Sequence, residues 1–312
     1  MRFAKQLGLE WVATRYDDPD GQTVEDYVAL RERFEAHGLK IYRLANSRSQ
    51  NIPEVTLGLP GRDERIAEYL DYIRRLGAAG IYHATYAHQA NGVWRTGREP
   101  VRGGAVHSCF HIEGTHAGAW GGARWEGEYS HGRAYSEEEL WDAYTYFIRQ
   151  VVPVAEEAGV YIGVHPDDPP VYPLGGVPRC IFGSFDGFVR ALEIADSPNV
   201  GMSLCVGTWL EGGEAMGRDV VETIRYFGGQ HKLFHIHFRN ITAPMPEGFC
   251  ETFLDDGYMD MHQVMRALRE VDFDGVVVSD HLPQMVGGRF AAEGMAVGYM
   301  HALVQAVNNE LA

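Results

Sequence analysis

The sequence lacks any long apolar run. No segment approaches the ~20 consecutive apolar residues that a membrane-spanning helix requires. The N-terminal segment MRFAKQLGLEW also lacks the apolar core of a signal peptide. We therefore expect no membrane partner and a cytoplasmic location.

Positive charge and cysteine are both scarce. Lys and Arg number 27 against 43 Asp and Glu, so the formal net charge is -16. Such a surface repels nucleic acid at long range, and an anionic substrate would need local positive charge from a metal or arginines. The four cysteines, with no CxxC pair, do not indicate a disulfide framework in a chain of 312 residues.

No Gly-rich phosphate loop follows the first strand, which disfavours a doubly wound open sheet, the alternative architecture. Strands alternate with helices instead, and repeated βα units predict a parallel sheet covered by helices. We expect one (β/α)8 TIM-barrel domain over residues 1–312. The predicted strands are residues 8–14, 39–45, 80–87, 160–165, 199–205, 231–238 and 275–280. The eighth strand comes from the first residues or from the long loop, or the barrel is incomplete.

Helix starts are marked by two capping boxes, Thr23 with Asp26 and Ser136 with Glu139. Apolar periodicity predicts further helices at 62–76, 185–195, 214–229, 259–271 and 290–310.

Residues 88–135 form a Gly-, His-, Trp- and Arg-rich stretch that is too long for an ordinary connection. We expect a lid in which Trp94, Arg95 and three histidines cover a polyhydroxy substrate. The histidines are His107, His111 and His116. Two alternatives stay open for them, a second metal site and a packed surface loop.

Four consecutive late strands end in a potential metal ligand: His165, Cys205, His237 and Asp280. Active sites of (β/α) barrels lie at these strand ends, so the four side chains are expected to converge. The mixture of nitrogen, sulfur and oxygen suits Zn, Mn, Fe or Co. From the residues alone, His235 competes with His237, because both lie on one face of their strand.

Polar residues beyond these strand ends are further candidates. Asp167 and Asp168 could exchange protons or orient a ligand, or could only form turns. Arg239, followed by Asn240, could bind a substrate carboxylate or form a surface ion pair. Glu251, on the loop after that strand, could reach the barrel mouth.

Several motifs resemble those of the mannonate dehydratase family: HPDDPP at 165–170, CVGT at 205–208, HFRN at 237–240, SDH at 279–281 and TLGLPGRDERIAEYLDYIRRLGAAGI at 56–81. The resemblance covers most of the chain in the right order. It implies a xylose-isomerase-like TIM barrel that dehydrates D-mannonate to 2-keto-3-deoxy-D-gluconate. It also implies Mn²⁺ as the cofactor, with Fe²⁺, Co²⁺ and Zn²⁺ as alternatives.

The resemblance also assigns roles to residues. The four strand-end residues named above match the family's metal ligands, which selects His237 over His235. His281 matches a histidine implicated in catalysis, and Trp94 and Arg95 with Thr96 resemble a substrate loop.

The chain also departs from the family around the substrate. Val278 replaces an arginine two positions before the metal-binding aspartate. The loop after Asp280 is the short LPQMVGGRFAAEG, and the N-terminal strand is curtailed.

The expected function is therefore dehydration of a small sugar acid. His281 with Asp167 or Asp168 would exchange protons, and Arg239 would hold the carboxylate. A metal-dependent isomerase or epimerase of the same barrel superfamily is the alternative, and a non-catalytic sugar-binding barrel is a third. We expect a homo-oligomer, a dimer or a tetramer.

Overall fold

The structure is a computed structural model that describes residues 1–18, 22–170 and 172–311. Its strands are β1 (Trp11–Arg15), β2 (Lys40–Ala45), β3 (His83–Ala87), β4 (Val93–Arg95), β5 (Gly97–Pro100), β6 (Val106–Phe110), β7 (Ala117–Trp120), β8 (Ala123–Trp125), β9 (Tyr161–His165), β10 (Val200–Cys205), β11 (Leu233–Phe238), β12 (Asn240–Ile241), β13 (Phe249–Thr252) and β14 (Val276–Ser279). Its helices are α1 (Arg2–Gln6), α2 (Val24–Glu35), α3 (Ser47–Gln50), α4 (Pro53–Thr56), α5 (Arg62–Ala78), α6 (Glu137–Ala158), α7 (Phe185–Ala195), α8 (Val206–Gly212), α9 (Val220–Gly228), α10 (Met261–Glu270) and α11 (Gly288–Glu310).

Seven parallel strands form the central sheet, in the order β1-β2-β3-β9-β10-β11-β14. All seven predicted strands are present, with bounds that differ by at most three residues from those expected. β10 and β11 are buried along their whole length, as strands covered on both faces must be. The sheet curls into a nearly closed barrel, and the predicted TIM-barrel class is confirmed.

The eighth strand is supplied by neither of the expected segments. Residues 2–6 form α1, whose Phe3 ring packs on Phe290 of α11 with 4.7 Å between the ring centroids. Within the described residues no ladder joins the edge strands β1 and β14. The barrel therefore has seven described strands, and the space between β1 and β14 is lined by side chains of both.

The long stretch after β3 is folded rather than irregular. It forms the antiparallel sheet β4-β7-β8 and contributes β5 and β6 to a second sheet, in the order β12-β13-β6-β5. We call β5, β6 and the turn between them the lid hairpin. A disulfide joins Cys109 of β6 to Cys250 of β13. The cysteine spacing did not indicate this cross-link, because the two residues are 141 positions apart.

Both predicted capping boxes are confirmed: the hydroxyls of Thr23 and Ser136 accept hydrogen bonds from the backbone N–H groups of Asp26 and Glu139. The prediction of one helix over 214–229 is wrong at its start. There α8 ends at Gly212, and α9 begins only after Asp219, which forms a third capping box with Glu222. No helix of the described ranges has the length and apolar character to span a membrane.

Candidate metal centre

The four strand-end side chains that were predicted to bind a metal converge at the C-terminal end of the barrel. Cys205 and His237 lie opposite each other in the register of β10 and β11, and His165 ends the neighbouring β9. His165 Nε2 lies 3.2 Å from His237 Nδ1, and the ligand atoms of His165, Cys205 and His237 all lie within 4.8 Å of one another. Asp280 Oδ2 lies 3.8 Å from Cys205 Sγ and 3.7 Å from His237 Nδ1. Atoms that bind one ion at ~2.0–2.3 Å are separated from one another by distances similar to the 3.2–3.8 Å found here.

The protonation of this cluster also suits a cation. His165 Nδ1 donates a hydrogen bond to the carbonyl oxygen of Pro166 at 2.7 Å, which leaves the Nε2 lone pair directed at the cluster. Burial disfavours the Cys205 thiolate, but the Arg239 guanidinium and the His165 and His237 imidazoles outweigh burial and hold its pKa well below the usual range. The donor set therefore fits a divalent metal that accepts thiolate, imidazole and carboxylate.

Arg239 lies beside Cys205 and is fully buried. Its Nη2 donates to Thr208 Oγ1 at 2.8 Å and to Cys205 Sγ at 3.2 Å. Its Nη1 lies 2.5 Å from Glu251 and 2.9 Å from Glu211. Because these partners occupy both terminal nitrogens, the guanidinium orients Cys205 and neutralises buried carboxylates, and these contacts do not favour the predicted direct role in substrate binding.

Arg95 completes the buried ion network. It forms a two-pronged pair with Asp168, at 2.5 and 3.2 Å, and lies 2.5 Å from Glu251. Asp168 is buried, which opposes ionisation, but Arg95 and Arg239 outweigh burial and lower its pKa. Burial and the repulsion of Asp168 raise the pKa of Glu211 well above its usual range. Two arginines are thus shared among three acidic groups, one of which, Glu211, favours its neutral form.

His281 follows Asp280 with a backbone φ of +49°, a conformation that is uncommon outside glycine. Its Nδ1 donates to Glu251 Oε1 at 2.8 Å, and its carbonyl oxygen accepts from His107 Nε2 at 2.5 Å. Burial opposes protonation, but Asp280 and Glu251 outweigh it and raise the pKa of His281 to about 10. The side chain is 40% exposed. The His281 imidazole is thus held in its protonated form and is accessible to solvent.

A cavity of ≈ 370 Å³ opens onto the centre. His165, His237, Asp280, Asp168 and His281 line it, together with Arg43, Val278 and residues of α11. Burial lowers the pKa of Arg43 to about 10, and no carboxylate of the described residues lies within ion-pair distance of its guanidinium.

Asp167, predicted beside Asp168, is directed elsewhere. It is buried and lies 3.5 Å from Arg179, and it is not among the residues that line the cavity. Burial raises its pKa to about 6 in spite of Arg179.

Other predicted residues lie in supporting positions. Trp94 is fully buried and donates from Nε1 to Asn91 at 3.0 Å, so it packs the lid from within rather than presenting a face to a sugar. Asn240 donates to the carbonyl oxygens of Leu254 and Met259. His235 is buried one layer below His237, 3.1 Å from Ser203 Oγ.

The lid histidines do not come together. His107 bonds the backbone of His281, and His116 packs against Trp94 and Phe110. His111 lies 2.8 Å from Glu99 on the outer side of the lid. The alternative of a second metal held by the three histidines is therefore wrong.

Sequence reasoning missed Glu211, Arg179 and Arg43. Glu211 had a signal, since it is the one charged residue in the stretch VGTWLEGG and lies one helical turn after Thr208. Arg179 and Arg43 had none, because the positions that they reach depend on long-range packing.

The model of the D-mannonate dehydratase (UxuA) family matches residues 123–310. A mannonate dehydratase of Streptococcus pneumoniae is 31% identical over 313 residues, which cover 92% of this chain and 82% of that protein. The crystal structure of mannonate dehydratase from Streptococcus suis serotype 2 superposes with a TM-score of 0.83 at 28% identity, covering 98% of this chain and 89% of the other.

A xylose isomerase domain protein from Planctomyces limnophilus superposes with a TM-score of 0.65 at 13% identity, covering 99% of this chain and 93% of the other. At that identity the likeness concerns the fold, which is a xylose-isomerase-like TIM barrel. The matches over most of the sequence place the chain more narrowly: it belongs to the mannonate dehydratase family.

Proposed function

We propose that this protein is a hydro-lyase that converts D-mannonate to 2-keto-3-deoxy-D-gluconate. The observation that carries the proposal is the convergence of His165, Cys205, His237 and Asp280 beside a cavity of ≈ 370 Å³ in a chain of this family. In this reaction C2 loses a proton and C3 loses a hydroxyl group, so one water leaves. The resulting enol then becomes the 2-keto acid.

Those four residues would hold a divalent metal, and we propose Mn²⁺. When bound, such an ion supplies positive charge that stabilises negative charge developing on substrate oxygens. Arg239 supports Cys205, because it donates to Cys205 Sγ and holds Asp168 and Glu251 in place.

We propose His281 as the group that transfers a proton to the departing 3-hydroxyl. It lines the cavity and is held by Glu251 through Nδ1, so its Nε2 is the atom available to substrate. Asp168 lines the same cavity, but its pair with Arg95 makes it a weak base, and we assign it the positioning of Arg95 and Arg239. Asp167 has the pKa of a useful base but lies outside the cavity lining.

The substrate carboxylate requires a cationic partner. Arg95 and Arg239 are occupied by acidic groups, whereas Arg43, like Val278, lines the cavity. We propose that Arg43 provides the positive charge that the family otherwise places at the position of Val278.

The direct test is to incubate the metal-loaded protein with a panel of sugar acids and to follow 2-keto-3-deoxy acid formation. We expect product from D-mannonate with Mn²⁺ and none after chelation. A ketose or an epimer as the product would instead support the isomerase alternative. No reaction with any sugar acid, in a protein shown to bind metal, would contradict the proposal.

The proton-transfer role is tested with His281→Asn. We expect kcat to fall by roughly 10²–10⁴-fold, the usual contribution of a positioned acid or base. The Mn²⁺ content should be unchanged, because His281 is not one of the four ligands. His301→Asn, an exposed position on α11, is the matched control and should keep full activity. Near-normal turnover in His281→Asn would rule out this assignment.

A further inference from the structure

A second group of metal-binding side chains lies where the lid hairpin joins β13. It consists of Glu99, Cys109, His111 and Cys250, whose ligand atoms all lie within 4.8 Å of one another. His111 Nε2 lies 2.8 Å from Glu99 Oε1, and Cys250 Sγ lies 4.0 Å from Glu99 Oε2. The proposed reaction uses none of these four residues.

The backbone fixes this arrangement. Cys109 and Cys250 are directly opposite each other in the antiparallel register of β6 and β13, so their side chains emerge on one side of the sheet. Glu99 belongs to β5, which pairs with β6, and His111 immediately follows β6. Three neighbouring strands therefore bring the four ligands to one point whether or not the two sulfurs are bonded.

The chemistry of the set depends on the redox state of the cysteines. With the disulfide formed, as in the structure, only the imidazole and the carboxylate can bind a cation. With the disulfide reduced, the site offers two thiolates, one imidazole and one carboxylate. Four such donors are a typical tetrahedral set for Zn²⁺.

We propose that Glu99, Cys109, His111 and Cys250 bind one Zn²⁺ when the cysteines are reduced, as an alternative to the disulfide. A dithiol reductant supplies two electrons and two protons to the S–S bond, which becomes two thiols while the reductant closes to its own disulfide. Zn²⁺ then displaces the two thiol protons to solvent.

Access and position both suit this exchange. The side chains of Glu99 and His111 are 51% and 40% exposed, so an ion can enter from solvent, while Cys109 is fully buried. Cys250 directly precedes Glu251, which contacts Arg95, Arg239 and His281. The disulfide and the proposed Zn²⁺ site would therefore each hold β13, the strand that carries Glu251, against the lid hairpin.

The test uses the full chain with Cys205→Ser, so that thiolate–metal absorption from the barrel centre does not contribute. The protein is reduced with dithiothreitol, freed of reductant without oxygen and titrated with Co²⁺. We expect about one equivalent to bind with thiolate-to-cobalt charge-transfer absorption, and Zn²⁺ to displace it. The oxidised protein should show no such band.

Variants locate the site. Cys250→Ser in this background should abolish the band, and His111→Ala should weaken Co²⁺ binding at least 10-fold. Cys180→Ser is the control, since Cys180 is a free cysteine outside the cluster, and it should leave the titration unchanged. Glu99 is exposed and His111 is half-exposed, so His111→Ala and Glu99→Gln remain informative if a cysteine variant does not fold.

The proposal is overturned if the reduced protein gives no charge-transfer band, or if the band survives Cys250→Ser. Because the readout is metal binding, failure here leaves the proposed dehydratase activity untouched.

Discussion

Glu251 lies within ion-pair distance of Arg95, Arg239 and His281. Removing such a carboxylate from water is costly and is offset only when several donors satisfy it. Burial raises the pKa of Glu251, but His281 and the two arginines outweigh that effect and keep it well below its usual range. The ionised Glu251 side chain therefore links Arg95 of the lid, Arg239 beside Cys205, and His281, the proposed proton donor.

Arg43 provides a residue-scale prediction about substrate. Arg43→Met should raise KM for the sugar acid roughly 10–100-fold, because a charge-assisted hydrogen bond contributes about 1.5–3 kcal/mol. The value of kcat should fall less. Steady-state kinetics at saturating Mn²⁺ measure both constants.

Two further variants sharpen that test. Arg43→Lys should recover part of the affinity, since it keeps the charge but loses the planar fork. Arg15→Met, at a cavity arginine that lies 3.7 Å from Asp17, is the matched control and should change KM little. An unchanged KM in Arg43→Met would show that the carboxylate is bound elsewhere.

Strand ends were the elements on which prediction succeeded. His165, Cys205 and Asp280 could be placed from the sequence because βα units of regular length put the carboxyl end of every strand on one side of a barrel. The choice between His235 and His237 could not be made in this way, because residues two apart in a strand share a face and differ only in depth. That choice came from the HFRN motif.

The lid was the element on which prediction failed. Its strands are three to five residues long, and their pairing joins β6 to β13 across the sequence gap from Cys109 to Cys250. Such pairings depend on the closed barrel that carries them, and local propensity does not encode them. For the same reason Trp94 was expected to present a face to substrate but lies fully buried within the lid.

Helix capping provides an element-scale prediction. Ser136 Oγ accepts from the Glu139 N–H at 3.2 Å, and the Ser136 N–H donates to the Glu139 carboxylate at 2.8 Å. Ser136→Ala should therefore lower the free energy of unfolding by about 1 kcal/mol. Glu138→Ala, which removes an acidic residue of the same first turn but no capping bond, should cost at most a few tenths of that. Urea unfolding of both variants measures the difference, and equal stabilities would show that the cap contributes nothing.

At the scale of the whole molecule, the net charge of -16 coexists with a cavity lined by cationic side chains. The sequence predicted that an anionic substrate would need such local charge and that Arg239 would supply it, whereas we propose Arg43. The difference has a physical reason: Arg239 lies two residues after His237 in sequence, yet buried carboxylates occupy its guanidinium. The position of Arg43 depends instead on how the seven strands curl, which has no local signature.

The stability of the protein at acidic pH depends on whether buried histidines such as His88 can be protonated in the folded state. His88 is buried, with Nδ1 2.8 Å from the Tyr86 hydroxyl and no partner for Nε2 among the described residues. Burial lowers its pKa from 6.5 to about 3. Between pH 6.5 and 3, His88 is therefore protonated in the unfolded chain but neutral in the folded chain. Its contribution to the free energy of unfolding is complete above pH 6.5 and is lost as the pH falls toward 3.

The expected loss attributable to His88 is about 1.4 kcal/mol per pH unit below 6.5. In His88→Gln, which keeps a hydrogen-bonding side chain but does not titrate, the free energy of unfolding should fall less between pH 6.5 and 4.5 than in the original protein, by about 2.3 kcal/mol. Urea unfolding at several pH values measures both slopes, and His301→Gln, exposed on α11, is the control and should follow the original slope. Parallel slopes for His88→Gln and the original protein would mean that the interior accepts a charged imidazole at this position, and that acid instability arises from other groups.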